Sequence, residues 1–399
     1  MKILWVVNTI FPELAKELGQ IPNPSGSWMH SLVQALVKIS ELNITVVTVY
    51  TGKEIVFKSI NNIDYYLIPN RMKYWGDIFD KVQPDLVHIH GSEYKYGLDL
   101  IQIRPKCKYV LSIQGLMGEC ARTYLGGMTT WEVIQNITIR DILKNDNLLQ
   151  ARKKFYKRAQ VEKEYFQKVD AVIGRTEWDK AHTHFLNPKL KYYHCEEMLR
   201  DEFLTGEKWC FQKCEKYSIF MSGGGYPLKG LHQVLKALYI LKNDFPQIKL
   251  YIAGYNFIDT KSLKSKLKLS GYGLYIKRLI RQLGLENHVI FTGPLNTEAM
   301  KKYFLNSNVY VCASSIENGS NSLLEAKVLG VPFIASYVGG IPSLIANEEY
   351  SSLYDFSDNV MLSYKIRLNF EEKIIHTNFN YQSKQNILDK YIYIYKDLM

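Results

Sequence analysis

Two glutamates and a lysine in the second half of the chain carry the groups needed to hold a phosphorylated sugar. Seven residues separate Glu317 from Glu325, and Lys229 comes shortly after the glycine run Gly223–Gly225. Carboxylates accept hydrogen bonds from sugar hydroxyls, and an ammonium on a flexible stem can pair with a diphosphate. A glycine-rich loop before a helix adds backbone amides that bind phosphate. Together these residue types indicate a nucleotide-sugar site.

The segment around the two glutamates predicts the elements that would position them. The apolar run Val309–Ala313 predicts a strand, a polar loop follows, and a helix that starts near Ser320 ends at Gly330. A loop that leads into a helix presents N–H groups and the positive end of the helix dipole, which favour an anion. The expected diphosphate contacts are the amides of Gly319, Ser320, Asn321, Ser322 and Leu323. The alternative is a surface loop whose glutamates are merely solvated.

This segment resembles the signature of the retaining, nucleotide-sugar-dependent glycosyltransferases of family 4, which have the GT-B fold. The resemblance rests on Glu317, Glu325-Ala326, Gly330-Val331-Pro332, Gly339-Gly340 and the pair Lys229-Gly230. It implies an α/β chain with two Rossmann-like domains that face each other across a cleft. The expected boundaries are 1–204 for an acceptor domain and 205–380 for a nucleotide-sugar domain, with a helix at 381–399 that packs back on the first.

The resemblance also implies roles for single residues of the donor site. Glu317 is expected to contact the transferred sugar, Lys229 the diphosphate, and Glu325 the ribose hydroxyls. Gly225 and Gly293 are expected to approach the donor in loops that follow other strands. Glu317 and Lys229 therefore belong to the predicted catalytic set.

Four candidate positions in the first half of the chain follow predicted strands, where ligands bind in open α/β sheets. His90 ends the run Pro84-Asp85-Leu86-Val87-His88-Ile89-His90. This run is similar to one at the active cleft of the family. His90 is therefore the third member of the predicted catalytic set, with Glu317 and Lys229. The predicted acceptor or phosphate contacts are Gly26, Ser27, Gln114 and Arg175. Relatives usually have histidine where this chain has Gln114. A core histidine at position 90 and a simple capped turn at Gly26-Ser27 are the alternatives.

Composition limits the partners and the compartment. The 399 residues, of which 47% are hydrophobic, are enough for two domains with cores of their own, and the net charge of +11 favours an anionic partner. Six scattered cysteines without paired spacing argue against a zinc site or a disulfide framework and favour a reducing cytosol. Basic and aromatic residues alternate within 140–168, which predicts either peripheral contact with the inner face of the cell membrane or a solvated helical face. Nucleic acid is not an expected partner.

The expected function follows from the resemblance. It is retaining, metal-independent transfer of a sugar from a nucleoside diphosphate donor, UDP rather than GDP, to a glycan or polyprenyl-diphosphate-linked acceptor in bacterial surface polysaccharide synthesis such as capsule or O-antigen. No cofactor is expected beyond the donor itself. Relatives commonly carry an arginine at the position of Gly224, so one expected cation is missing. A GT-B nucleotide-sugar epimerase and a non-catalytic nucleotide-sugar-binding scaffold are the alternatives.

Overall fold

The computed structural model describes residues 1–20, 26–345, 347–372 and 381–399. The chain divides into two units. Unit 1 comprises residues 1–118, 157–200 and 382–399, and unit 2 comprises residues 119–156 and 201–381. Each unit has a parallel or mostly parallel sheet with helices packed against it, which is the layer architecture expected of Rossmann-like domains.

The strands of the described residues, in chain order, are β1 (Lys2–Val7), β2 (Asn43–Tyr50), β3 (Val56–Ile60), β4 (Ile63–Pro69), β5 (Leu86–His90), β6 (Lys108–Ser112), β7 (Ala171–Gly174), β8 (Lys191–His194), β9 (Glu215–Met221), β10 (Lys249–Ile252), β11 (Val289–Phe291), β12 (Ser307–Cys312), β13 (Phe333–Ser336) and β14 (Leu353–Tyr354).

The α-helices of the described residues are α1 (Pro12–Glu17), α2 (Ser27–Leu36), α3 (Met72–Val82), α4 (Tyr96–Ile103), α5 (Met117–Thr123), α6 (Thr130–Gln135), α7 (Ile139–Lys144), α8 (Leu148–Lys168), α9 (Glu177–Leu186), α10 (Asp201–Leu204), α11 (Leu231–Leu241), α12 (Leu263–Lys268), α13 (Gly271–Gln282), α14 (Thr297–Asn306), α15 (Asn321–Leu329), α16 (Asn359–Phe370) and α17 (Lys384–Asp397).

The sheet of unit 1 has the order β3-β4-β2-β1-β5-β6-β7-β8 among the described residues. All neighbouring strands pair in parallel except β3, which runs antiparallel to β4. Every residue of β5 is buried, as expected of a central parallel strand covered on both faces. Helix α17 contacts this sheet through Tyr395, whose hydroxyl accepts a hydrogen bond from Trp5 Nε1 (3.1 Å) and bonds His88 Nδ1 (2.8 Å). The C-terminal helix therefore packs against the first sheet, where the sequence places it.

The sheet of unit 2 is parallel throughout its described strands, in the order β11-β10-β9-β12-β13-β14. The apolar side of α11 is buried against it, with Leu231, Val234 and Leu238 fully enclosed. The neighbours β9 and β12 end side by side, at Met221 and Cys312. Because parallel strands share their carboxyl edge, the loops after β9 and β12 meet there.

The division between the units differs from the predicted boundary near residue 204. Residues 119–156, which the sequence assigns to the first domain, belong to unit 2. Three contacts explain this assignment. Thr138 Oγ1 donates to the carbonyl oxygen of Leu269 (2.9 Å), and the Gly271 amide donates to Asp141 Oδ2 (2.8 Å). Val133 is also buried within the unit 2 core.

Candidate functional site

A cavity of about 140 Å³ lies at the carboxyl edge of the unit 2 sheet. Ser222 and Gly223 border it from the end of β9, and Tyr310 and Cys312 border it from β12. The predicted residues Lys229, Glu317, Gly319, Ser320, Asn321 and Ser322 line the same cavity. The structure thus brings the lysine, the first glutamate and the start of α15 together at one place.

Lys229 reaches the cavity from a short 3-10 turn, Pro227–Lys229, that precedes α11. Gly230 follows with φ of +67°, a conformation that side-chain-bearing residues rarely adopt. A Cβ atom at this position would lie 1.7 Å from the carbonyl oxygen of Ala313. Only glycine allows the turn to approach the end of β12 so closely, which explains why the lysine is followed by glycine.

Glu317 is fixed through its backbone by the glycine pair after β13. The Gly340 amide donates to the Glu317 carbonyl oxygen (2.9 Å). Gly339 has φ of +51°, and a Cβ atom there would lie 2.0 Å from the same carbonyl oxygen. Gly339 is therefore required by the close approach of two loops, and together with the Gly340 amide it holds Glu317 at the cavity.

The side chains of Lys229 and Glu317 form an ion pair between Nζ and Oε1. Ser314 Oγ donates to the same carboxylate oxygen (2.7 Å), so two donors orient Glu317. Burial by itself lowers the pKa of Lys229, but the Glu317 carboxylate, with smaller contributions from Tyr226 and Cys312, outweighs it and raises that pKa above its ordinary value. Lys229 is therefore a fixed positive charge at neutral pH.

The N-terminus of α15 supplies the second source of positive potential. Ser320 caps the helix, and its Oγ accepts a hydrogen bond from the Leu323 amide (3.3 Å). The cap and the first turn, through Ser322, border the cavity. The positive end of the helix dipole consequently faces the same space as Lys229, an arrangement that attracts a phosphate group.

Four predicted donor residues do not line the cavity, although the structure describes them: Gly225, Gly293, Leu323 and Glu325. Leu323 is fully buried, and Glu325, one turn into α15, is 4% exposed. Gly293 lies at the end of β11, where its carbonyl oxygen accepts from the Gly254 amide (3.0 Å). Ribose binding by Glu325 stays a prediction, as do the donor contacts of the other three.

The candidate residues of unit 1 follow four adjacent strands, β1, β5, β6 and β7, and so lie at one edge of that sheet. Gly26 is the N-cap of α2 with φ of +76°, and its Cβ position would lie 2.8 Å from Thr9 Cγ2. Ser27 begins α2, but its side chain lies outside the described residues. Gln114 is half-buried and makes one weak contact, from Nε2 to Met29 Sδ (3.8 Å).

His90 is enclosed by aromatic rings at this edge. Its ring centroid lies 4.2 Å from that of Trp5 and 3.9 Å from that of His88. Both ring nitrogens are buried and have no hydrogen-bond partner among the described residues. Burial, followed by the charge of His88, lowers the pKa of His90 well below its ordinary value, so the ring is neutral at pH 7. A catalytic role for His90 stays a prediction beside the core alternative.

Arg175 is buried after β7 and forms an ion pair with Glu197 (2.9 Å) in the same unit. A phosphate that binds this guanidinium would have to share it with Glu197. The predicted phosphate contact of Arg175 therefore competes with an interaction inside the protein.

Several residues at the two sheet edges were not predicted. Ser314 and Tyr310 line the cavity of unit 2, and the alternation of side chains along β12 could have indicated that Tyr310 and Cys312 share a face. In unit 1, Glu162 is buried and accepts from Ser92 Oγ (2.8 Å) and the Met117 amide (2.9 Å). Burial raises the pKa of Glu162 to about 7. Its place in a lysine-rich helix gave no sign of burial.

Metal-binding clusters and membrane-spanning helices are both absent from the part of the chain that the structure describes. Residues 1–20, 26–345, 347–372 and 381–399 contain no group of three or more His, Cys, Asp or Glu side chains placed to hold a metal ion. Within the same part of the chain, no helix is both long and apolar enough to cross a membrane.

A protein family model matches the part of the chain that carries the cavity. Residues 211–386 match the family described as Glycosyl transferases group 1. This part of the chain is similar to that family, and the match spans a little under half of the chain. It contains Lys229, Glu317 and α15, so every predicted residue that lines the cavity lies within the glycosyltransferase match.

Curated relatives match shorter stretches. An uncharacterized glycosyltransferase of Methanocaldococcus jannaschii is 34% identical over 87 residues, 21% of this chain and 22% of that protein. Protein CapJ of Staphylococcus aureus is 28% identical over 159 residues, 35% of this chain and 40% of that protein. The matches thus span well under half of the length of either relative.

Solved structures match the fold over the full chain. Sucrose-phosphate synthase of Thermosynechococcus elongatus has a TM-score of 0.72 at 16% identity and covers 100% of this chain and 99% of its own. HepE of Anabaena, in complex with UDP and glucose, has a TM-score of 0.65 at 14% identity with the same coverage. The chain has the GT-B fold of glycosyltransferases, built from two Rossmann-like units.

Proposed function

We propose that the protein is a retaining, metal-independent glycosyltransferase. It transfers a sugar from a nucleoside diphosphate sugar to a glycan or lipid-linked glycan acceptor in bacterial surface polysaccharide synthesis. The observation that carries this proposal is the ion pair of Lys229 with Glu317 at a cavity bordered by the N-terminus of α15. The cavity lies within the residues that match the glycosyltransferase family.

The proposed chemistry depends on stabilising the departing diphosphate. Lys229 and the α15 dipole hold the negative charge that develops when the bond between the anomeric carbon and the phosphate oxygen breaks. The acceptor hydroxyl attacks on the face that the diphosphate leaves and passes its proton to the departing phosphate oxygen, so the configuration is retained and no protein base is required. Glu317 accepts hydrogen bonds from the transferred sugar, and Glu325 from the ribose.

The nucleotide and the pathway are proposed from relatives. HepE, which has the same fold, is described in complexes with UDP and with UDP-glucose, and this supports a UDP-sugar as donor. A protein in the cps region of Klebsiella pneumoniae is 27% identical over 139 residues, and protein CapJ matches at 28%. These relatives support a role in surface polysaccharide synthesis.

Donor binding is tested by titration calorimetry with UDP-, GDP-, ADP- and TDP-sugars. One nucleotide family should bind, and Lys229→Gln should weaken that binding about 10- to 100-fold, because a charge-assisted contact to phosphate is lost. The matched control is Lys302→Gln, at an exposed lysine of α14 in the same unit. It should bind like the wild type.

Product analysis then separates the three functions. Nuclear magnetic resonance of the reaction with glycan or lipid-linked acceptors, in the presence of EDTA, should show transfer with an unchanged anomeric configuration. An isomerised nucleotide-sugar without acceptor would establish the epimerase. Binding without turnover on any acceptor would establish the scaffold, which the glycine at position 224 favours because it removes an expected cation. An inverted product or loss of activity in EDTA would refute the proposed mechanism.

A further inference from the structure

Three short helices of unit 2 expose large apolar side chains to solvent. The exposed fractions range from 47% for Ile134 to 80% for Leu143. The residues concerned are Trp131 and Ile134 on α6, Ile139, Ile142 and Leu143 on α7, and Leu263 and Leu267 on α12. On each helix they are spaced three or four positions apart, so they share one side of it. We refer to these seven residues as the apolar patch.

The helices that carry the apolar patch are joined to one another. Helix α7 follows α6 directly in the chain, and it packs against α12. Thr138 Oγ1, at the start of α7, donates to the carbonyl oxygen of Leu269, just after α12. The Gly271 amide donates to Asp141 Oδ2 in α7. The exposed side chains therefore belong to one continuous region of unit 2.

Helix α12 gains no stability from the core of unit 2. All six of its residues, Leu263–Lys268, are exposed or half-buried, and the two leucines are 78% and 70% exposed. A helix this short is not stable by itself in water. Leucines held in water on such a helix, next to five further exposed apolar side chains, are typical of a surface that binds a partner.

Lysines surround these leucines. Residues 261–282 contain seven Lys and Arg and no Asp or Glu. Within α6 and α7 the acidic groups are already engaged: Glu132 accepts from Thr129 and Tyr275, and Asp141 pairs with Arg140 (2.9 Å). The lysines of α12 form no ion pair with a described residue. The region is therefore both apolar and positively charged.

We propose that the apolar patch docks on an anionic lipid bilayer, with the lysines of α12 at the level of the headgroups. Leucine, isoleucine and tryptophan side chains insert at the acyl boundary, whereas lysines pair with anionic lipids. A protein partner would need apolar residues opposite the patch and acidic residues opposite the lysines, in one fixed arrangement. An anionic bilayer supplies an apolar interior and negative headgroups whatever the orientation of the helices. This proposal does not depend on the donor reaction.

The proposed surface overlaps the predicted membrane segment 140–168 only at Ile142 and Leu143, and its other five residues lie outside that segment. The guanidinium of Arg152 in α8 donates to the Ala121 carbonyl oxygen (3.1 Å), and Lys154 pairs with Asp146 (3.3 Å). In α8, Tyr165 and Phe166 are buried, Phe155 is half-buried and Tyr156 is exposed. Helix α8 therefore exposes charge and one tyrosine but no large aliphatic side chain, whereas α12, outside the predicted segment, exposes both leucines and lysines.

Vesicle cosedimentation of the full chain tests the proposal. Wild-type protein should bind vesicles of phosphatidylglycerol and phosphatidylethanolamine and should not bind vesicles of phosphatidylcholine alone. Leu263→Ser/Leu267→Ser should reduce that binding at least tenfold, because two inserted side chains are lost. Each of Lys264→Gln and Lys266→Gln should reduce it about fivefold at low salt.

The matched control is Val360→Ser/Tyr364→Ser, which alters another exposed pair four residues apart, on α16 of the same unit. It should bind vesicles like the wild type. Equal binding by the Leu263→Ser/Leu267→Ser variant, or no preference for anionic vesicles, would overturn the proposal. Sedimentation velocity without lipid tests self-association as the alternative. If the wild type is a dimer and the Leu263→Ser/Leu267→Ser variant is a monomer, the patch binds a second copy of the chain instead of a bilayer.

Discussion

A single oxygen atom of Glu317 receives both the Lys229 ammonium and the Ser314 hydroxyl. The structure describes all the residues that line the cavity, and among them only Lys229 carries a formal positive charge. The Glu317 carboxylate therefore occupies one side of the Lys229 ammonium. A diphosphate that bound Lys229 would share the ammonium with Glu317, and two anions on one cation repel each other. We therefore expect Glu317 to oppose nucleotide binding at Lys229 while it stays available to accept hydrogen bonds from a sugar.

Glu317→Gln should separate these two effects. The neutral amide keeps the shape of the side chain but no longer competes for Lys229, so UDP alone should bind about tenfold more tightly, which corresponds to about 1.4 kcal/mol. If Glu317 also holds the transferred sugar, kcat should fall on the order of 100-fold. Titration calorimetry measures the affinity for UDP. Steady-state rates with the nucleotide-sugar that binds the wild type measure kcat.

The control for this variant is Glu298→Gln, at an exposed glutamate in the first turn of α14. It should change neither UDP affinity nor kcat. Weaker UDP binding by Glu317→Gln would contradict the competition and would show that the carboxylate orients Lys229 toward the diphosphate instead.

At the scale of elements, the strand–loop–helix around Glu317 could be predicted because its signals are local. A cap at Ser320, a glycine stop at Gly330 and an apolar strand lie within a few residues of each other, and the structure places α15 and β12 accordingly. The loop glycines could be recognised but not explained. The need for Gly339 comes from the Glu317 carbonyl oxygen, which no local pattern indicates.

Contacts between distant residues account for what the sequence did not predict. Thr138 and Leu269 are 131 positions apart, and no feature of either segment indicates that they meet. The ion pair of Arg175 with Glu197 likewise joins two separate segments. From the sequence alone, each of these charged side chains would be expected to lie exposed to solvent. The pattern of apolar residues in one sequence indicates whether a segment is a helix or a strand. It does not indicate which other helices or strands that segment packs against.

One such contact joins helix α11 to the turn after α5. His232 is buried at the start of α11, and its Nε2 lies 2.6 Å from the carbonyl oxygen of Gly126. A carbonyl oxygen only accepts, so Nε2 carries the proton, and Nδ1 accepts from the Tyr272 hydroxyl (3.1 Å). Burial lowers the pKa of His232 to about 4, and the bond to Gly126 only partly offsets this.

His232→Gln should flatten the dependence of stability on pH. Because the folded pKa lies below the unfolded value, the unfolded chain binds the proton first, and stability that is complete above about pH 6.5 is lost as pH falls toward 4. Between pH 7.5 and pH 5 the wild type should lose about 2 kcal/mol through this group. Urea unfolding at both pH values measures the difference between the two proteins.

The control for this pair is His184→Gln, at an exposed histidine of α9, which should keep the wild-type pH dependence. The prediction is wrong if His232→Gln and the wild type lose the same free energy of unfolding between pH 7.5 and pH 5. That result would show that His232 binds its proton as readily in the folded state as in the unfolded chain.

At the scale of the whole molecule, the chain order of the segments differs from their packing. Residues 119–156 lie between two segments of unit 1 in sequence and yet belong to unit 2. Their apolar residues Met128 and Val133 are buried in the same core as Leu231 and Tyr272. The glycosyltransferase match begins only at residue 211, so the matched segment by itself lacks part of the core that supports its donor site.

A fragment of residues 201–381 should therefore fold poorly, and adding 119–156 should restore it. Loss of Met128 and Val133 alone removes about 1.5–3 kcal/mol for each side chain, a large part of the 5–15 kcal/mol that stabilises a typical protein. We expect a broad unfolding transition for 201–381 and a cooperative one once 119–156 is attached through a flexible linker, with a scrambled 119–156 as control. Cooperative unfolding of 201–381 alone, measured by calorimetry, would show that residues 119–156 are an accessory and not part of the core.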